Sequence, residues 1–401
     1  MSFFLSVVPV SEAIAAVHRL GNAMPAETVP LAEACGRVLS YDVRADVNIP
    51  GFTRSVMDGY AVRASDTTGA GESVPAMLTF RGRILMGQNA DQPVKPGECF
   101  YIPTGGILPE GADAVVMAEN TEPFGDEILV KRSVAHNENV LRYDEDFKKG
   151  EVVLPCGRRL SVQDVGVLAA VGCADVPVTR RPKIGIISTG NELVPVTETP
   201  KIGQVRDVNS YVISAFVREH GCIPVTYGII HDDRASFDAA LSQAASECDA
   251  ILISGGSSKD DRDMAAAVIA QKGEVLIHGV AIAPGKPTII GRVGTVPAIG
   301  LPGHPAATFI VLVAIVRHLL GDMTGNSGPE PVKVTAKLAM NIPSTKGRED
   351  YIRVVVKDGI ATPLFGKSGL LNTLAKSNGI VRVPAESEGF ETGREVDILL
   401  W

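Results

Sequence analysis

Three glycine-rich loops, each following an apolar segment, have residue types that suit the binding of an anion. They lie in the segments IISTGNELV, ISGGSSKDDRDM and GLPGHPAA. Small residues let a ligand approach backbone N–H groups, and each loop leads towards a helix, whose N-terminus favours negative charge. The candidate binding residues of these loops are Ser188, Gly190, Gly255, Gly256, Ser258, Pro302, Gly303 and Pro305.

A lysine and several carboxylates stand beside these loops. Lys286, in APGKPTIIG, is held among rigid Pro and Gly residues and is a suitable fixed cation for a phosphate. Glu192 lies in the first loop, and the charged run 259–263 follows the second. A carboxylate repels phosphate unless a cation lies between them, so the combination predicts Mg²⁺, which prefers oxygen ligands. For Asp260 and Asp261, a solvated helix start is the alternative interpretation.

A second cluster of polar residues occurs in a part of the sequence that is rich in short strands. Asp58 lies in RSVMDGYAV, and Thr104 lies in YIPTGGILPEGADAVV. Asp-Gly and Thr-Gly-Gly are ordinary turn signals, so the pattern alone favours two turns here over a functional site.

The elements that must position the first three loops alternate between apolar strands and helices. Strands are predicted in KIGIIS, IPVTYGII, DAILIS and TVPAIGL, and helices in NSYVISAFVREHG, SFDAALSQAASE, MAAAVIAQKG and PAATFIVLVAIVRHLLG. This alternation predicts parallel βαβ units and a doubly wound sheet, in which ligands bind beyond the carboxyl ends of the strands. Ser236 is the predicted N-cap of the second helix.

The rest of the sequence predicts mainly short strands. A helix capped by Ser11 is expected in SEAIAAVHRL and another in SVQDVGVLAAVG, whereas the segments from Glu27 to about Phe147 and those after Gly325 read as strands and turns. The final strands predict a small β-barrel or sandwich. We therefore expect an α/β multidomain protein.

Composition narrows the class of protein. The chain has 401 residues, a formal net charge of -8 and 45% hydrophobic residues, which is typical of a folded soluble protein of several domains. The negative charge argues against non-specific nucleic-acid binding, which needs a basic face. The six cysteines form no Cys-x-x-Cys pair, and the N-terminus has no basic region before its apolar residues. We expect a cytoplasmic protein without a membrane span.

Six motifs occur in one order at compatible spacing: SVMDGYAV, PTGGILPEGADAVVMAE, STGNELV, SGGSS, PGKPTIIG and LPGHP. Each is a weak signal alone. The ordered set resembles the molybdopterin molybdenumtransferase family, the MoeA-type insertases that also form the E domain of gephyrin-like proteins. The resemblance runs from the N-terminal helix to the terminal β domain.

The resemblance implies a transferase of molybdenum cofactor biosynthesis that inserts molybdate into adenylylated molybdopterin, with Mg²⁺-dependent release of AMP. It also implies a homodimer, with the cleft between the α/β domain of one subunit and the β-rich domain of the other. Other proteins of cofactor biosynthesis are expected partners. The implied domains are a MogA-like α/β domain (1–24 and 177–326), a connecting α+β domain (25–46 and 143–176), an extended β-rich domain (47–142) and a C-terminal β-barrel (327–401).

The family motifs also imply roles for individual residues. Asp58, Thr104 and Asp146 match cleft residues, although Asp144 stands where the family usually has glycine. Glu192, Asp263 and one of the pair Asp232 and Asp233 are expected to hold Mg²⁺ or position water. Lys286 and the helix N-terminus at Pro305 are expected to hold phosphate or molybdate, while Gly255 and Gly256 let the backbone touch the pterin phosphate. The residues of this chain that match the family motifs are Asp58, Thr104, Asp146, Glu192, Asp232, Asp233, Asp263, Lys286, Pro302 and Pro305.

Three departures from the family pattern concern the charge of the cleft. Asp260 replaces a glycine, His304 replaces an asparagine, and Ala283 replaces a lysine. The first and the last make the cleft less positive, and Lys259 is a candidate for compensation. A second reading is therefore a non-catalytic pterin carrier or scaffold. A tungstate-specific insertase is a third, because tungstate and molybdate are nearly equal in size and charge. A molybdopterin adenylyltransferase is disfavoured by the β-rich insertion and the terminal β domain.

Overall fold

The α/β part of the chain forms a six-stranded mixed sheet. The computed structural model describes residues 7–255, 259–326 and 332–400, without the side chains of 259–263. In spatial order the strands of this sheet are Ile223–Ile230, Lys183–Thr189, Ala250–Ser254, Val296–Leu301, Ile289–Val293 and Gly273–His278. The first four are parallel, as the sequence predicts, whereas Ile289–Val293 pairs antiparallel with the strand on either side of it.

The strands Ile289–Val293 and Gly273–His278 are absent from the predicted pattern. Val293 pairs with Val296 across a two-residue turn, and Gly294 in that turn has φ +58°. This tight hairpin reverses the chain without a crossover helix, so it breaks the alternation on which the prediction depends.

Helices cover both faces of the sheet, which confirms the doubly wound arrangement of the four parallel strands. One face carries Val10–Leu20, Asn209–Glu219 and the helix that begins at Pro305, and the other carries Arg234–Glu247 and Lys259–Lys272.

Two predicted helix N-caps, Ser11 and Ser236, are wrong. The first helix begins at Val10, so Ser11 lies inside its first turn. Asp233 caps the helix Arg234–Glu247 by accepting the Ser236 N–H at 2.9 Å, because Asp233 directly precedes the helix and Ser236 lies within its first turn.

The helical segment Pro305–Thr324 is the longest apolar one. It consists of the α-helix Pro305–Val311, a π-helical turn Leu312–Val316 and the α-helix Arg317–Thr324. By length and composition it could cross a membrane, but 72% of its most apolar stretch is buried inside the structure. It packs as the central helix of one hydrophobic core.

The β-rich part forms a second six-stranded sheet and a smaller neighbour. In spatial order the sheet contains Ala114–Met117, Gly59–Val62, Glu98–Ile102, Ala76–Arg83, Glu127–Val130 and Thr121–Phe124.

The connecting region has its own core, built on the strand pairs Ala26–Pro30 with Asp175–Thr179 and Val43–Arg44 with Val152–Leu154. Its helix, Val162–Ala170, begins with a capping box of Ser161 and Asp164, as expected from the sequence. Short pairs, Arg54–Ser55 with Val140–Leu141, join the two regions.

The C-terminal part is a closed barrel of five strands. Its strands are Val332–Leu338, Glu349–Lys357, Ile360–Pro363, Gly379–Val383 and Glu395–Leu400, with the short helix Asn372–Lys376 between two of them. Pairing of Glu349–Lys357 with Gly379–Val383 closes the ring. The segment Ile282–Ala283 from the α/β part adds beside Glu349 and Asp350, so the barrel is fastened directly to the Lys286 loop.

Candidate active site

The three glycine-rich loops meet at one edge of the α/β sheet. Ser188 is in register with Ser254, which in turn is in register with Leu301. Ser188 is buried, and its Oγ has no hydrogen-bond partner among the described residues. Because parallel strands end at the same edge, their loops form one concave surface there, as the sequence predicts.

Asn209 joins two of these loops and was not singled out by the sequence. Its Nδ2 donates to Ser254 Oγ and to the Gly303 carbonyl, both at 2.8 Å, while its Oδ1 is buried with no partner among the described residues. The only signal in the sequence is an Asn at a helix start, which ordinarily indicates capping. The structure instead uses this side chain to fix the distance between the second and third loops.

Gly255 and Gly190 are required by close contacts within the loops. A Cβ on Gly255 would lie 1.9 Å from Thr189 Oγ1, and one on Gly190 would lie 2.7 Å from Glu192 Oε2. The carboxylate of Glu192 therefore folds back over the first loop. Gly256 and Ser258 lie outside the described residues. Asp263 lies in the helix Lys259–Lys272, but its side chain, like those of Lys259, Asp260 and Asp261, is outside the description.

The structure separates the two neighbouring aspartates at the end of strand Ile223–Ile230. Asp233 is a helix cap, and the N–H of Ser236 holds the pKa of its carboxyl below the ordinary value. Asp232 Oδ2 accepts the N–H of Asn191 at 2.9 Å in the first loop, and its Oδ1 is buried with no partner among the described residues. Asp232 is thus the member of the pair that faces the site.

The acidic residues give an incomplete metal site. No group of three His, Cys, Asp or Glu side chains that could hold a metal occurs among the residues described. The unpartnered Oδ1 of Asp232 fits a hard cation, which needs buried oxygen ligands. Glu192 and Asp263 are the expected further ligands, and the side chain of Asp263 is not part of the description.

A pocket of about 500 Å³ lies between the sheet edge and the barrel. Lys286, Pro302, Gly303 and His304 line it from one side, together with Ala283. The barrel contributes Lys346, Arg348 and Ser368. These three residues were missed because only the pairing of Ile282–Ala283 with Glu349 and Asp350 brings them to the loops. The pocket therefore has three cationic side chains in its wall.

Arg348 is held in place by a buried carboxylate. Its Nε lies 2.9 Å from Oδ1 of Asp350, whose Oδ2 accepts the hydroxyl of Ser344 at 2.7 Å. Lys346 is more loosely placed, because its ion pair with Glu388 is exposed. His304 Nδ1 lies 2.7 Å from Ser368 Oγ across the domain boundary. Arg348 is thus the best-fixed cation that the barrel gives to the pocket.

The helix N-terminus at Pro305 does not offer the free N–H groups that the sequence suggests. Proline has none, and the N–H of Ala306 donates to the Ser368 carbonyl at 3.2 Å. The N–H groups of Ala307 and Thr308 both donate to the His304 carbonyl at 2.9 Å. These three N–H groups are therefore engaged within the chain, and the expected contact between this helix N-terminus and an anion stays a prediction.

Asp58 and Thr104 meet in the β-rich sheet. Asp58 Oδ1 accepts the Thr104 N–H at 2.7 Å and its hydroxyl at 2.9 Å, and these bonds, the backbone one first, hold the pKa of Asp58 below its ordinary value. Both side chains are exposed. The next residue, Gly59, must be a glycine because a Cβ there would lie 1.9 Å from the Val116 carbonyl oxygen of the neighbouring strand. The two turns are a single structure that presents one carboxylate and one hydroxyl.

Asp146 is exposed, in a loop anchored by its N–H to the Ile49 carbonyl at 2.9 Å. Asp144 in the same loop has φ +60°, a conformation that glycine adopts more easily. Among the described residues, no hydrogen bond or ion pair links Asp146, Asp58 or Thr104 to the sheet-edge loops. Within one chain the predicted residues therefore form two clusters, one at the sheet edge and one in the β-rich sheet.

Comparison with known proteins gives three family matches that follow one another along the chain. Residues 8–172 match the MoeA N-terminal region (domain I and II), 185–322 match the probable molybdopterin binding domain, and 335–401 match the MoeA C-terminal region (domain IV). The matches include both clusters and the barrel residues of the pocket.

Similar proteins share the whole length. A protein of Methanocaldococcus jannaschii named putative molybdopterin biosynthesis protein is 35% identical, over 93% of this chain and 91% of its own. The molybdopterin molybdenumtransferase of Bacillus subtilis is 32% identical, over 98% and 94%. The crystal structure of a molybdopterin biosynthesis moeA protein from Pyrococcus horikoshii has a TM-score of 0.87 at 37% identity, covering 99% of this chain and 100% of that one.

Proposed function

Because the chain belongs to the MoeA family of molybdopterin molybdenumtransferases, we propose that it inserts molybdate into adenylylated molybdopterin and releases AMP. The family places it among the transferases of molybdenum cofactor biosynthesis. The observation that carries the finer proposal is the pocket with the cationic side chains of Lys286, Lys346 and Arg348, which lies beside the loops of the sheet edge.

In this proposal the pocket is the molybdate site. Lys286 and Arg348 offer two charges to a dianion, and Ser368 and His304 offer further polar groups. Charge-assisted hydrogen bonds to an oxyanion are roughly twice as strong as neutral ones, so the two cations dominate the affinity. Ala283 removes one family lysine from the wall, and the fixed guanidinium of Arg348 makes that loss tolerable.

The acidic residues are proposed to serve the adenylate. Glu192, Asp232 and Asp263 would hold Mg²⁺, which supplies charge neutralisation at the phosphoanhydride when bound. Asp232 offers an unpartnered buried oxygen for this purpose. The backbone at Ser188 and Gly255 receives the pterin phosphate. Water adds across the phosphoanhydride, so that AMP leaves with one phosphate and the pterin keeps the other.

We also propose a homodimer in which Asp58 and Thr104 complete the site of the other subunit. The two residues are joined to no sheet-edge residue in the described part of their own chain. Exposed apolar side chains surround them: Phe52, Val56 and Met57 are each about 41–42% exposed. Covering this surface with a second copy would bury apolar area and bring an ionised carboxylate to the cleft. The proposed location is the cytoplasm.

The test is a product assay with purified protein, adenylylated molybdopterin, Mg²⁺ and molybdate. The proposal expects one AMP for each molybdenum that co-elutes with the pterin, and loss of both products in Asp263→Asn. Tight pterin binding without AMP, under molybdate or tungstate, would support the carrier instead, and Ala283→Lys would then be the first reversion. Turnover with tungstate alone would assign the tungsten enzyme.

A further inference from the structure

A second cavity, of about 320 Å³, adjoins the cationic pocket. The two share the side chains or backbone of Ala283, Pro284, Arg348 and Ser368, so they form neighbouring compartments of one cleft. Arg353 lines only the second compartment. It lies on the barrel strand Glu349–Lys357 and plays no part in the site described above.

Arg353 is a buried cation with no ion pair among the residues that the structure describes. The residue is 5% exposed, and its Nε and Nη1 have no hydrogen-bond partner among the described residues. Nη2 donates only to the Gly366 carbonyl, at 3.4 Å. Burial with no opposing carboxylate lowers the pKa of the guanidinium. Buried charges in proteins are ordinarily paired, so this arrangement calls for an anion that the described residues do not supply.

A carboxylate in the same cavity wall and another buried arginine show how Arg353 differs. Asp350, which lines the same cavity, is already engaged by Arg348 and Ser344. Arg37, which is 7% exposed, pairs with Glu27 and also donates to the Thr179 carbonyl at 2.9 Å. Within the described residues, Arg37 is thus paired with a carboxylate, whereas Arg353, at the wall of a cavity, has only the long bond to the Gly366 carbonyl.

We propose that Arg353 forms a second oxyanion subsite, for a tetrahedral anion seated beside the one held by Lys286 and Arg348. The guanidinium must turn from Gly366 towards the cavity, which breaks a single hydrogen bond well beyond the usual N–H···O distance. The occupant is a tetrahedral oxyanion group, either a free inorganic anion or a phosphate of the nucleotide substrate. The inference deepens the proposed function and rests on it only through the first anion pocket.

The test uses the full-length protein and two probes, inorganic tungstate and AMP. Calorimetry gives the number of anions bound for each protomer, and anomalous diffraction from tungsten gives their positions. The variants are Arg353→Gln, Arg353→Lys and Arg348→Gln. Arg394→Gln is the matched control, since Arg394 lies on the ring of Phe390 in the same barrel and lines neither compartment. Thermal unfolding checks that each variant folds.

Two tungstates are expected for the wild type and for the control. Arg353→Gln should keep only the one at Lys286, and Arg348→Gln should weaken that one at least tenfold. Arg353→Lys keeps the charge and should retain the second anion with lower affinity, which covers the case in which the glutamine variant does not fold. If the AMP phosphate alone occupies the second compartment, the subsite belongs to the substrate.

The inference is overturned if wild-type protein binds neither tungstate nor the AMP phosphate next to Arg353, or if Arg353→Gln leaves the second anion in place. Absence of tungstate at Lys286 and Arg348 is a separate result. It would contradict the proposed molybdate pocket, whatever happens at Arg353.

Discussion

At the scale of single residues, the charge state of Asp58 depends on Thr104. The backbone N–H is the larger cause of the lowered pKa and the hydroxyl is the smaller one. Since the folded-state pKa lies below the ordinary value, the stabilisation that these bonds give is present above the ordinary pKa. It is lost as the pH falls through the lowered pKa.

Replacing Thr104 by alanine should therefore raise the pKa of Asp58 only part of the way to its ordinary value. Thr104→Ser, which keeps a hydroxyl, should change it less. Carboxyl-carbon NMR titration of Asp58 in the three proteins measures this directly. Equal pKa values in wild type and Thr104→Ala would mean that the hydroxyl bond contributes nothing in solution.

Arg348 and Lys286 are expected to dominate oxyanion affinity. Changing either residue to glutamine removes a charge-assisted hydrogen bond to the anion, so molybdate affinity should fall by about 10- to 100-fold in either variant. Calorimetric titration with molybdate gives the dissociation constants. Lys357→Gln is the control, because Lys357 is exposed on the barrel and lines neither compartment. Unchanged affinity in Arg348→Gln would remove the barrel from the site.

At the scale of secondary-structure elements, the start of helix Arg234–Glu247 distinguishes two adjacent carboxylates. Asp233→Ala removes the cap of this helix and should lower the urea midpoint of unfolding, while leaving the Mg²⁺ dependence of AMP release unchanged. Asp232→Asn should have the opposite profile, with a higher Mg²⁺ requirement and near-normal stability. If both variants alter only stability, neither aspartate serves a metal.

The strands and helices show why much of this fold could be predicted. Four parallel strands were predicted because each is a short apolar run bounded by turn signals, and a helix was predicted in SVQDVGVLAAVG because its signals are local in the sequence. The hairpin strand Ile289–Val293 was missed because its reversal needs only two residues. The prediction of Ser11 and Ser236 as N-caps was wrong because several residues near each helix start compete for the cap position, and local spacing does not rank them.

The candidate site was predictable only where its residues share a local motif. Asp58, Thr104 and Lys286 lie in motifs of contiguous residues. Arg348 and Ser368 reach the pocket through strand pairing across more than sixty positions of sequence, which no local pattern encodes.

At the scale of the whole molecule, the two clusters lie in separate domains of one chain. The account therefore requires that a second subunit bring Asp58 to the sheet edge. Hybrid dimers of Asp58→Asn and Asp232→Asn subunits can be prepared by co-expression with different tags. In such a hybrid one site carries both changes and the other carries neither, because a two-fold dimer has two equivalent clefts.

The hybrid should recover about half of the wild-type AMP release, whereas each variant homodimer should be nearly inactive. Sedimentation velocity should show a dimer in every case. A hybrid as inactive as the two homodimers would place both residues in the site of a single subunit, and a monomeric wild type would end the shared-cleft proposal.

The most direct test of the central claim is single-turnover AMP release measured against molybdate concentration, for wild type and Lys286→Gln. The account predicts a saturable molybdate dependence in the wild type. It predicts a half-saturation about 10- to 100-fold higher in Lys286→Gln, with a similar maximum, because the lysine binds the oxyanion and does not split the anhydride. AMP release that is independent of molybdate, or unaffected by Lys286, would contradict the account.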